Sequence, residues 1–231
     1  RRPSKLRLLQ PGLRNLMPYL ICIGGFLIAW QILSLILGVA RLPGPINVIV
    51  ETWDPYISQP FFDDGGTSKG LGWQILISLQ RVAMGYGLAA VVGIAIGGVL
   101  GLNRFIGKGL DPVIQVLRTV PPLAWFPISL MVFQDANTSA IFVIFITAIW
   151  PIIINTALGV RSVSEDYLNV AKVLQLTAFE KVFQIILPVA VPFIFTGMRL
   201  SLGIAWLVIV AAEMLTGGLG IGFWIWDEYN N

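Results

Sequence analysis

The sequence lacks most of the groups on which enzyme catalysis and metal binding depend. Its 231 residues include no histidine and a single cysteine, Cys22. Without imidazole, the commonest general base and a principal zinc ligand are absent, and one cysteine forms no intrachain disulfide. Residues 101–109 approach a Walker phosphate loop but have five residues where four are needed, and Gly109 stands where Ser or Thr is required. The sequence therefore argues against an enzyme and predicts no metal or cofactor in this chain.

Charged residues are scarce as well. They make up 12% of the chain against 56% hydrophobic residues, and the mean hydropathy is +0.82. A soluble core of this length does not bury so much apolar side chain, so the composition predicts an all-α, polytopic membrane protein. A spanning helix needs about 20 apolar residues. Five stretches meet that length, at 17–39, 75–102, 113–133, 139–160 and 188–215.

The basic residues are distributed unevenly among the connections between these spans. Acidic residues fill the alternate connections, at Glu51, Asp54, Asp63, Asp64, Asp135, Asp227 and Glu228. Under the positive-inside rule the basic connections are cytoplasmic. This predicts a cytoplasmic basic segment at 1–16, followed by a single transmembrane domain at 17–231 with a cytoplasmic loop at 161–187. The net charge of +3 is explained by membrane orientation and does not indicate binding of nucleic acid. The expected partner is membrane lipid. Most of the 15 basic residues carry this signal: Arg1, Arg2, Lys5, Arg7, Arg14, Arg104, Lys108, Arg161, Lys172 and Lys181.

The loop before the last span has the pattern of two short helices joined by a turn. Ser164 can cap a first helix whose opening turn carries Glu165 and Asp166, where negative charge suits the helix dipole. Thr177 and Glu180 have capping-box spacing for a second helix. Proline has no backbone N–H, so Pro188 is predicted to end that helix. This charged segment between two spans is typical of a docking surface, with Tyr167, Ala171 and Leu174 on one helix face.

Small residues recur at every fourth position of the second span, at Gly85, Ala89, Gly93, Gly97 and Gly101. Such a stripe lets another helix backbone approach closely. The pattern fits close packing within one subunit and also fits a seam between two subunits. Both interpretations stay open at this point.

The third span is interrupted by proline. Pro121, Pro122 and Pro127 follow Arg118 closely and remove backbone donors, so the helix is predicted to break or kink there. Irregular backbone at membrane depth is tolerated where it is buried in protein or lines a wet cavity. The segment with Arg118, Pro121, Pro122 and Trp125 is therefore a candidate pathway wall, and a simple proline kink is the alternative.

Arg199 lies roughly half-way along the fifth span. A cation at that depth is costly and normally faces protein or water. Its planar fork suits a planar oxyanion, which makes Arg199 a candidate for anion passage, with Glu213 further along the same helix. The alternative is an arginine that ties helices together, and any charge partner of Glu213 must then come from another helix or subunit. Arg81 and Arg118 lie near span ends, where snorkelling to water explains them.

Several motifs resemble the permease subunits of ABC importers. The loop resembles their cytoplasmic coupling loop: aligned on Tyr167-Leu168, the family's Glu falls on Asn169, its two alanines on Val170 and Ala171, and its turn glycine on Gln175. Without glycine, a left-handed turn at Gln175 costs energy, so the turn is expected to sit elsewhere or to stay helical. The candidate coupling residues are Glu165, Tyr167, Leu168, Asn169, Val170, Ala171, Leu174 and Gln175.

Other motifs resemble the nitrate, sulfonate, taurine and bicarbonate branch of that family, the nitrate permeases above all. They are RLPGPINV from Arg41, SLQRV from Ser78, and FTGMRLSLGIAWLV from Phe195 followed by AAEML around Glu213. The resemblance covers residues 42–227. It implies a type I importer permease fold in a bacterial inner membrane and alternating access in a dimer of permease subunits. It also implies two cytoplasmic ATPase subunits that bind ATP and Mg, and an extracytoplasmic substrate-binding protein.

The resemblance implies a small inorganic anion as substrate, most of all nitrate or nitrite. Bicarbonate or a sulfonate such as taurine is the alternative within the same architecture, because an arginine donor serves all these anions. A channel or scaffold that works without ATP is the alternative of another class. Relatives also continue into a sixth span, which we expect to follow Asn231.

Overall fold

The computed structural model describes residues 11–38 and 42–230, with side chains from Leu16 onward except that of Pro55. All named elements in these ranges are helical, and the sole strand-like feature described there is an isolated bridge between Asp63 and Lys69. The all-α prediction is confirmed. Residues 1–10 of the basic segment predicted at 1–16 lie outside the described residues, and so does Arg41.

The chain divides into two compact units after Phe62. The first unit contains α1 (Pro11–Leu37), α2 (Pro45–Thr52) and a kinked segment, Trp53–Ile57, in which the Asp54 backbone is extended. In α1 the apolar stretch Leu16–Leu37 is long enough to cross a membrane and only 6% of it is buried within the structure. Its side chains therefore suit contact with lipid. The single transmembrane domain at 17–231 stays a prediction.

The second unit holds the remaining helices. Asp135 caps the helix Ala136–Arg161, because its Oδ2 accepts hydrogen bonds from the Thr138 hydroxyl at 2.6 Å and the Thr138 N–H at 2.7 Å. These bonds hold the pKa of Asp135 below its usual range. The helices are α3 (Leu71–Leu102), α4 (Arg104–Thr119), α5 (Trp125–Phe133), α6 (Ala136–Arg161), α7 (Glu165–Val173), α8 (Ala178–Lys181), α9 (Leu187–Thr216) and α10 (Ile221–Asn230).

The core of this unit lies where α3, α6 and α9 pack together. The small-residue stripe of α3 faces α6 of the same chain: a Cβ on Gly97 would lie 2.7 Å from the Ile153 carbonyl oxygen, and one on Gly85 would lie 2.7 Å from that of Ile141. Glycine lets the two backbones approach this closely. Of the two interpretations left open by the sequence, the structure shows packing within one subunit for this stripe.

Replacing Gly97 with alanine is expected to destabilise this packing. The added methyl group would also meet the Thr156 Cβ at 2.7 Å, and overpacking of this kind costs about 1–3 kcal/mol. Gly98, the next residue, has open space around a built Cβ and supplies the matched control. Thermal unfolding of the purified complex should show a lower Tm for Gly97→Ala and an unchanged or slightly higher Tm for Gly98→Ala. Equal melting temperatures would contradict the tight contact.

Among the described residues, four helices are long and apolar enough to span a membrane, and α4 with α5 makes a fifth if the bent pair counts as one span. The pair is bent by 88°. The break falls at Val120 and Pro121, whose backbones are extended, and a 3₁₀ turn, Pro122–Ala124, leads into α5. The predicted proline break is confirmed, whereas 113–133 is not a straight span.

The segment from Ala178 to Thr216 forms one continuous run of helix. A π-helical turn, Val182–Ile186, joins α8 to α9, and Pro188 lies in the first turn of α9. The prediction that Pro188 ends the second helix of the loop is therefore wrong. The π-helical turn carries the helix past the proline, because in it the Leu187 N–H donates to the Val182 carbonyl five residues back. As a result, the loop is joined to the last long helix without a break.

Candidate functional site

A cleft of ≈ 430 Å³ opens where the α4–α5 pair bends, between that bend, α6 and α9. Arg118 lines this central cleft from the last turn of α4, and Pro122 lines it from the turn that follows. A cation is favourable at the C-terminal end of a helix dipole. Arg118 is exposed and forms no ion pair with any described residue. The break in the helix thus delivers an unneutralised guanidinium to the cleft.

The opposite wall of the central cleft comes from α6. Pro151 lies inside this helix and has no N–H, which leaves the Thr147 carbonyl without its helical donor. Asn155 donates one amide hydrogen to the Pro151 carbonyl at 2.8 Å, so its second amide hydrogen is available to a ligand. Trp150 and Ile154 of α6, with Leu200 and Ile204 of α9, make the rest of this wall apolar. The cleft therefore combines a cation and an amide with apolar walls.

The predicted pathway residues are placed unevenly around this cleft. Arg118 and Pro122 line it, and Pro121, which belongs to the break itself, is exposed. Trp125 is half-buried, and its indole nitrogen has no hydrogen-bond partner in the part of the chain described. Thr147, Trp150 and Asn155 were not predicted, although Pro151 and Asn155 one turn apart in an apolar helix are a readable signal.

Arg199 lies on the exposed face of α9, one residue before Leu200 of the cleft. Phe195 and Trp206 are exposed on the same helix. No hydrogen bond or ion pair joins the Arg199 guanidinium to another described residue. A cation on an exposed face of a spanning helix is stable only where protein or water, and not lipid, contacts it.

Glu213 lies away from the cleft, in a buried ion pair. Its side chain is fully buried, and its Oε1 accepts a hydrogen bond from Arg81 Nη1 of α3 at 2.8 Å. The Ser78 hydroxyl lies 2.8 Å from each carboxylate oxygen, and the Gly222 N–H donates to Oε2 at 3.0 Å. The carboxylate is thereby surrounded by donors, as a buried charge requires.

The same cluster holds the turn between α9 and α10. Arg81 Nη1 also donates to the Leu219 carbonyl at 2.8 Å, and its Nε donates to Asn137 of α6 at 2.8 Å. The Gly220 N–H donates to the buried Gln74 side chain at 2.6 Å. Four helices and one turn are therefore tied by one polar cluster, which we call the Arg81–Glu213 cluster: Gln74, Ser78, Arg81, Asn137, Glu213 and the backbone of 219–222.

The snorkelling interpretation of Arg81 is wrong, because its guanidinium is committed to this cluster. The expectation that a partner of Glu213 must come from another helix is confirmed by Arg81. Gln74 and Ser78 were not singled out from the sequence. Polar residues at 74, 78 and 81 share one face of an apolar helix, a spacing that indicates a buried polar stripe.

The coupling loop folds as two helices and a turn. Ser164 occupies the N-cap of α7 in extended conformation, although its hydroxyl makes no capping bond. Gln175 adopts a left-handed conformation with φ 52°, so the turn falls where the family has glycine, and the expectation of a displaced turn is wrong. The Leu176 N–H donates to the Ala171 carbonyl at 3.0 Å, and the Gln175 N–H to that of Lys172 at 3.1 Å. This Schellman pair offsets the cost of the turn.

The predicted capping box of the second helix is confirmed. Glu180 Oε2 accepts hydrogen bonds from the Thr177 backbone N–H at 2.8 Å and the Thr177 hydroxyl at 2.7 Å. In return, the Glu180 N–H donates to Thr177 Oγ1 at 3.3 Å, which satisfies a free backbone donor in the first turn of α8. Since α8 continues into α9, the cap also fixes the direction in which the loop enters the last long helix.

The coupling residues divide by exposure. Ala171, at 2% exposure, packs inward, and Leu168 is half-buried. Glu165, Asn169 and Gln175 are exposed and polar. An apolar set is exposed around them, and we call it the coupling patch: Tyr167, Val170, Val173, Leu174 and Phe179.

Comparison with known proteins agrees with this architecture. Residues 66–231 match the family described as binding-protein-dependent transport system inner membrane component. The chain is 64% identical to the nitrate import permease protein NrtB of Synechococcus elongatus, over 100% of this chain and 84% of that relative. It is 56% identical to NrtB of Synechocystis, over 91% of this chain and 76% of the relative.

A second group of relatives carries a different anion in its name. The bicarbonate transport system permease protein CmpB of Synechococcus elongatus is 49% identical, over 99% of this chain and 82% of the relative. The family match covers more than half of the chain, and these relatives are matched across most of their length. The chain therefore belongs to the binding-protein-dependent transport system inner membrane components, the multi-pass permease subunits of ABC importers.

Proposed function

We propose that this chain is the permease subunit of an ATP-driven nitrate importer. The observation that carries the proposal is the 64% identity to a nitrate import permease along the whole chain. The central cleft supports it independently, because its cation is free of any described counter-ion. The homologues are transport subunits, and ATP and Mg belong to partner ATPase subunits.

The chemistry of the central cleft suits a small planar oxyanion. The guanidinium of Arg118 is itself planar and offers two parallel N–H donors, which match two oxygens of nitrate. The free amide hydrogen of Asn155 is a third donor from the opposite wall. The apolar side chains of Trp150, Leu200 and Ile204 exclude water and so strengthen the charge interaction. Arg118 and Asn155 are thus the proposed substrate contacts, and Glu213 is not among them.

Partner ATPase subunits are proposed to act through the coupling patch. Exposed apolar side chains on a short surface helix gain free energy when a partner covers them. Because α8 runs into α9 without a break, a displacement of the loop moves the helix that carries Leu200 and Ile204 of the cleft. This gives ATP binding a direct mechanical route to the substrate site.

We further propose the bacterial inner membrane, an N-terminus in the cytoplasm and a homodimeric pathway. The basic and acidic connections support this orientation under the positive-inside rule, with the α4–α5 pair crossing as one broken span. Arg199 supports the dimer, because a second permease subunit or the shared pathway would cover its exposed face of α9. An extracytoplasmic binding protein then delivers the anion.

Bicarbonate is the second candidate substrate, favoured by the 49% identity to a bicarbonate permease. Both anions are planar and accept the same arginine fork. Uptake by vesicles that contain the complete complex, with ATP inside, would separate them. Nitrate uptake that excess bicarbonate leaves unchanged supports the nitrate proposal, whereas uptake of bicarbonate in preference to nitrate contradicts it.

Replacing Arg118 with glutamine is expected to reduce nitrate uptake by at least about tenfold. The expectation rests on the loss of a charge-assisted hydrogen bond, which contributes roughly 1.5–3 kcal/mol. Arg118→Lys keeps the charge without the fork and should retain an intermediate rate. Arg199→Ala should reduce uptake while the complex still assembles. Uptake rates at matched amounts of complex provide the measurement, and a normal rate in Arg118→Gln would remove Arg118 from the pathway.

A further inference from the structure

A second polar pocket lies at the opposite end of the helix core from the Arg81–Glu213 cluster. It has a volume of ≈ 290 Å³ and is enclosed by the last turn of α3, the end of α6, the start of α7 and the end of α8. Leu102, Val160 and Ile186 supply apolar walls. Since α3 and α6 end here as spanning helices, the pocket lies at the level of lipid headgroups whichever way the chain is oriented.

We call this the inner pocket, and most of the charged residues that line it are cations. Arg104, Arg161 and Lys181 line it together with one carboxylate, that of Glu165. The ion pairs found among the described residues are Asp63–Lys69 and Arg81–Glu213, so neither Arg104 nor Lys181 is neutralised by them. Even with the Glu165 carboxylate the lining keeps an excess of positive charge, which favours binding of an anion.

Local structure positions two of these cations, Arg161 and Arg104. Arg161 Nη2 donates to the Leu100 carbonyl at 2.9 Å, which fixes its guanidinium at the end of α3. Asn103 caps α4, because its Oδ1 accepts from the N–H groups of Phe105 and Ile106 at 3.0 and 3.2 Å. Arg104 is therefore the first residue of a helix, where the dipole is already positive. The position of Arg104 adds to the positive potential of the pocket, and Arg104 forms no ion pair with another described residue.

We propose that the inner pocket binds a phosphate-bearing anion, with the headgroup of an anionic phospholipid as its source in the membrane. Arg104, Arg161 and Lys181 pair with the phosphate, and the apolar walls contact the glycerol and the upper acyl chain. Basic pockets between helix ends are a common mode of headgroup recognition. The site goes beyond the proposed transport function and does not depend on which anion is carried.

Occupancy of this site has a structural consequence. Arg161 is the last residue of α6 and Lys181 is the last residue of α8. Glu165 and Leu168 belong to α7. A phosphate held among them links the coupling loop to the ends of the spanning helices. Bound lipid thereby stiffens the connection between the coupling patch and the helix core.

The test compares two lysine substitutions in the delipidated whole complex. Lys181→Gln removes a pocket cation, and Lys108→Gln removes an exposed cation of α4 that does not line the pocket. Binding of dioleoyl phosphatidylglycerol is measured by native mass spectrometry, with phosphatidylcholine as the zwitterionic reference. Affinity for phosphatidylglycerol should fall about fivefold in Lys181→Gln and stay within about twofold in Lys108→Gln. The double variant Arg104→Gln/Lys181→Gln should bind still more weakly.

A competition arm distinguishes the source of the phosphate. If inorganic phosphate displaces the lipid, the site is supported and a free anion also fills it; if it does not, the site is supported as one for lipid. Equal binding of phosphatidylcholine, or equal losses in the two single variants, would overturn the proposal. Size-exclusion profiles and melting temperatures that match the unmodified complex confirm that each variant is folded.

Discussion

Replacing Glu213 with alanine should prevent the folded permease from accumulating. The substitution leaves the guanidinium of Arg81 beside a cavity, with its counter-ion gone and 15% of its side chain exposed. Breaking a buried pair from one side costs about 3–5 kcal/mol, a large share of the roughly 5–15 kcal/mol that stabilises a protein domain. Ser78 and the Gly222 N–H lose their acceptor at the same time. The amount of complex recovered from membranes, and its Tm, measure the effect.

Three variants show whether charge pairing is the cause. Glu213→Gln keeps the volume and an acceptor but not the charge, so its loss of stability should be smaller than that of Glu213→Ala. The double variant Arg81→Met/Glu213→Leu removes both charges and should recover part of the loss, because an apolar pair avoids the unpaired charge. Asp227→Ala changes an exposed carboxylate on α10 and should behave like the unmodified chain. If Glu213→Ala were as stable as Asp227→Ala, the cluster would have no structural role.

Replacing Leu174 with aspartate should abolish nitrate uptake in a complex that is still inserted and folded. Leu174 is 63% exposed in the coupling patch, so the chain itself tolerates a charge there. A carboxylate pressed against an apolar partner surface loses hydration without gaining a donor, at a cost above the roughly 1–3 kcal/mol of an unpaired neutral polar group. Transport should fall at least about tenfold, and ATP hydrolysis should no longer respond to substrate. Parallel assays of uptake and ATPase activity in vesicles measure both.

Leu174→Met preserves size and apolar character and is the matched control, with transport expected near the normal rate. Ala171→Asp is a poorer test, since Ala171 is buried and a charge there would disrupt α7 itself. Should Leu174→Asp transport nitrate with normal ATP coupling, the patch is not the site of energy transfer, and the proposed ATPase contact would need another surface.

The coupling loop shows how far local rules reach. The capping box of Thr177 and Glu180 was readable because both partners lie within one helical turn. The left-handed Gln175 was not, since its Schellman bonds and the surrounding helix ends outweigh the intrinsic cost of the turn. Pro188 also escaped prediction: a π-helical turn ahead of it let the helix continue. Each error came from applying a propensity where packing and hydrogen bonding decided the outcome.

The candidate substrate site was partly predictable for a similar reason. Proline acts on its own backbone, so the break beside Arg118 followed from the residues themselves. The opposite wall, with Thr147 and Asn155 on α6, depends on which helix packs against the break. Arg199 remains a predicted pathway residue, and its exposed face of α9 acquires a role only in a proposed dimer.

Hydropathy, charge and proline spacing determined the all-α membrane class, the long apolar helices, the break of α4 and the family resemblance. These are properties of single residues and near neighbours, and they act before the helices pack. Only the tertiary structure decided that Arg81 pairs with Glu213, 132 residues away, that the glycine stripe of α3 packs within its own subunit, and that three cations surround the inner pocket. The partner of a buried charge or of a small-residue stripe depends on helix packing in three dimensions, which spacing along the chain does not specify.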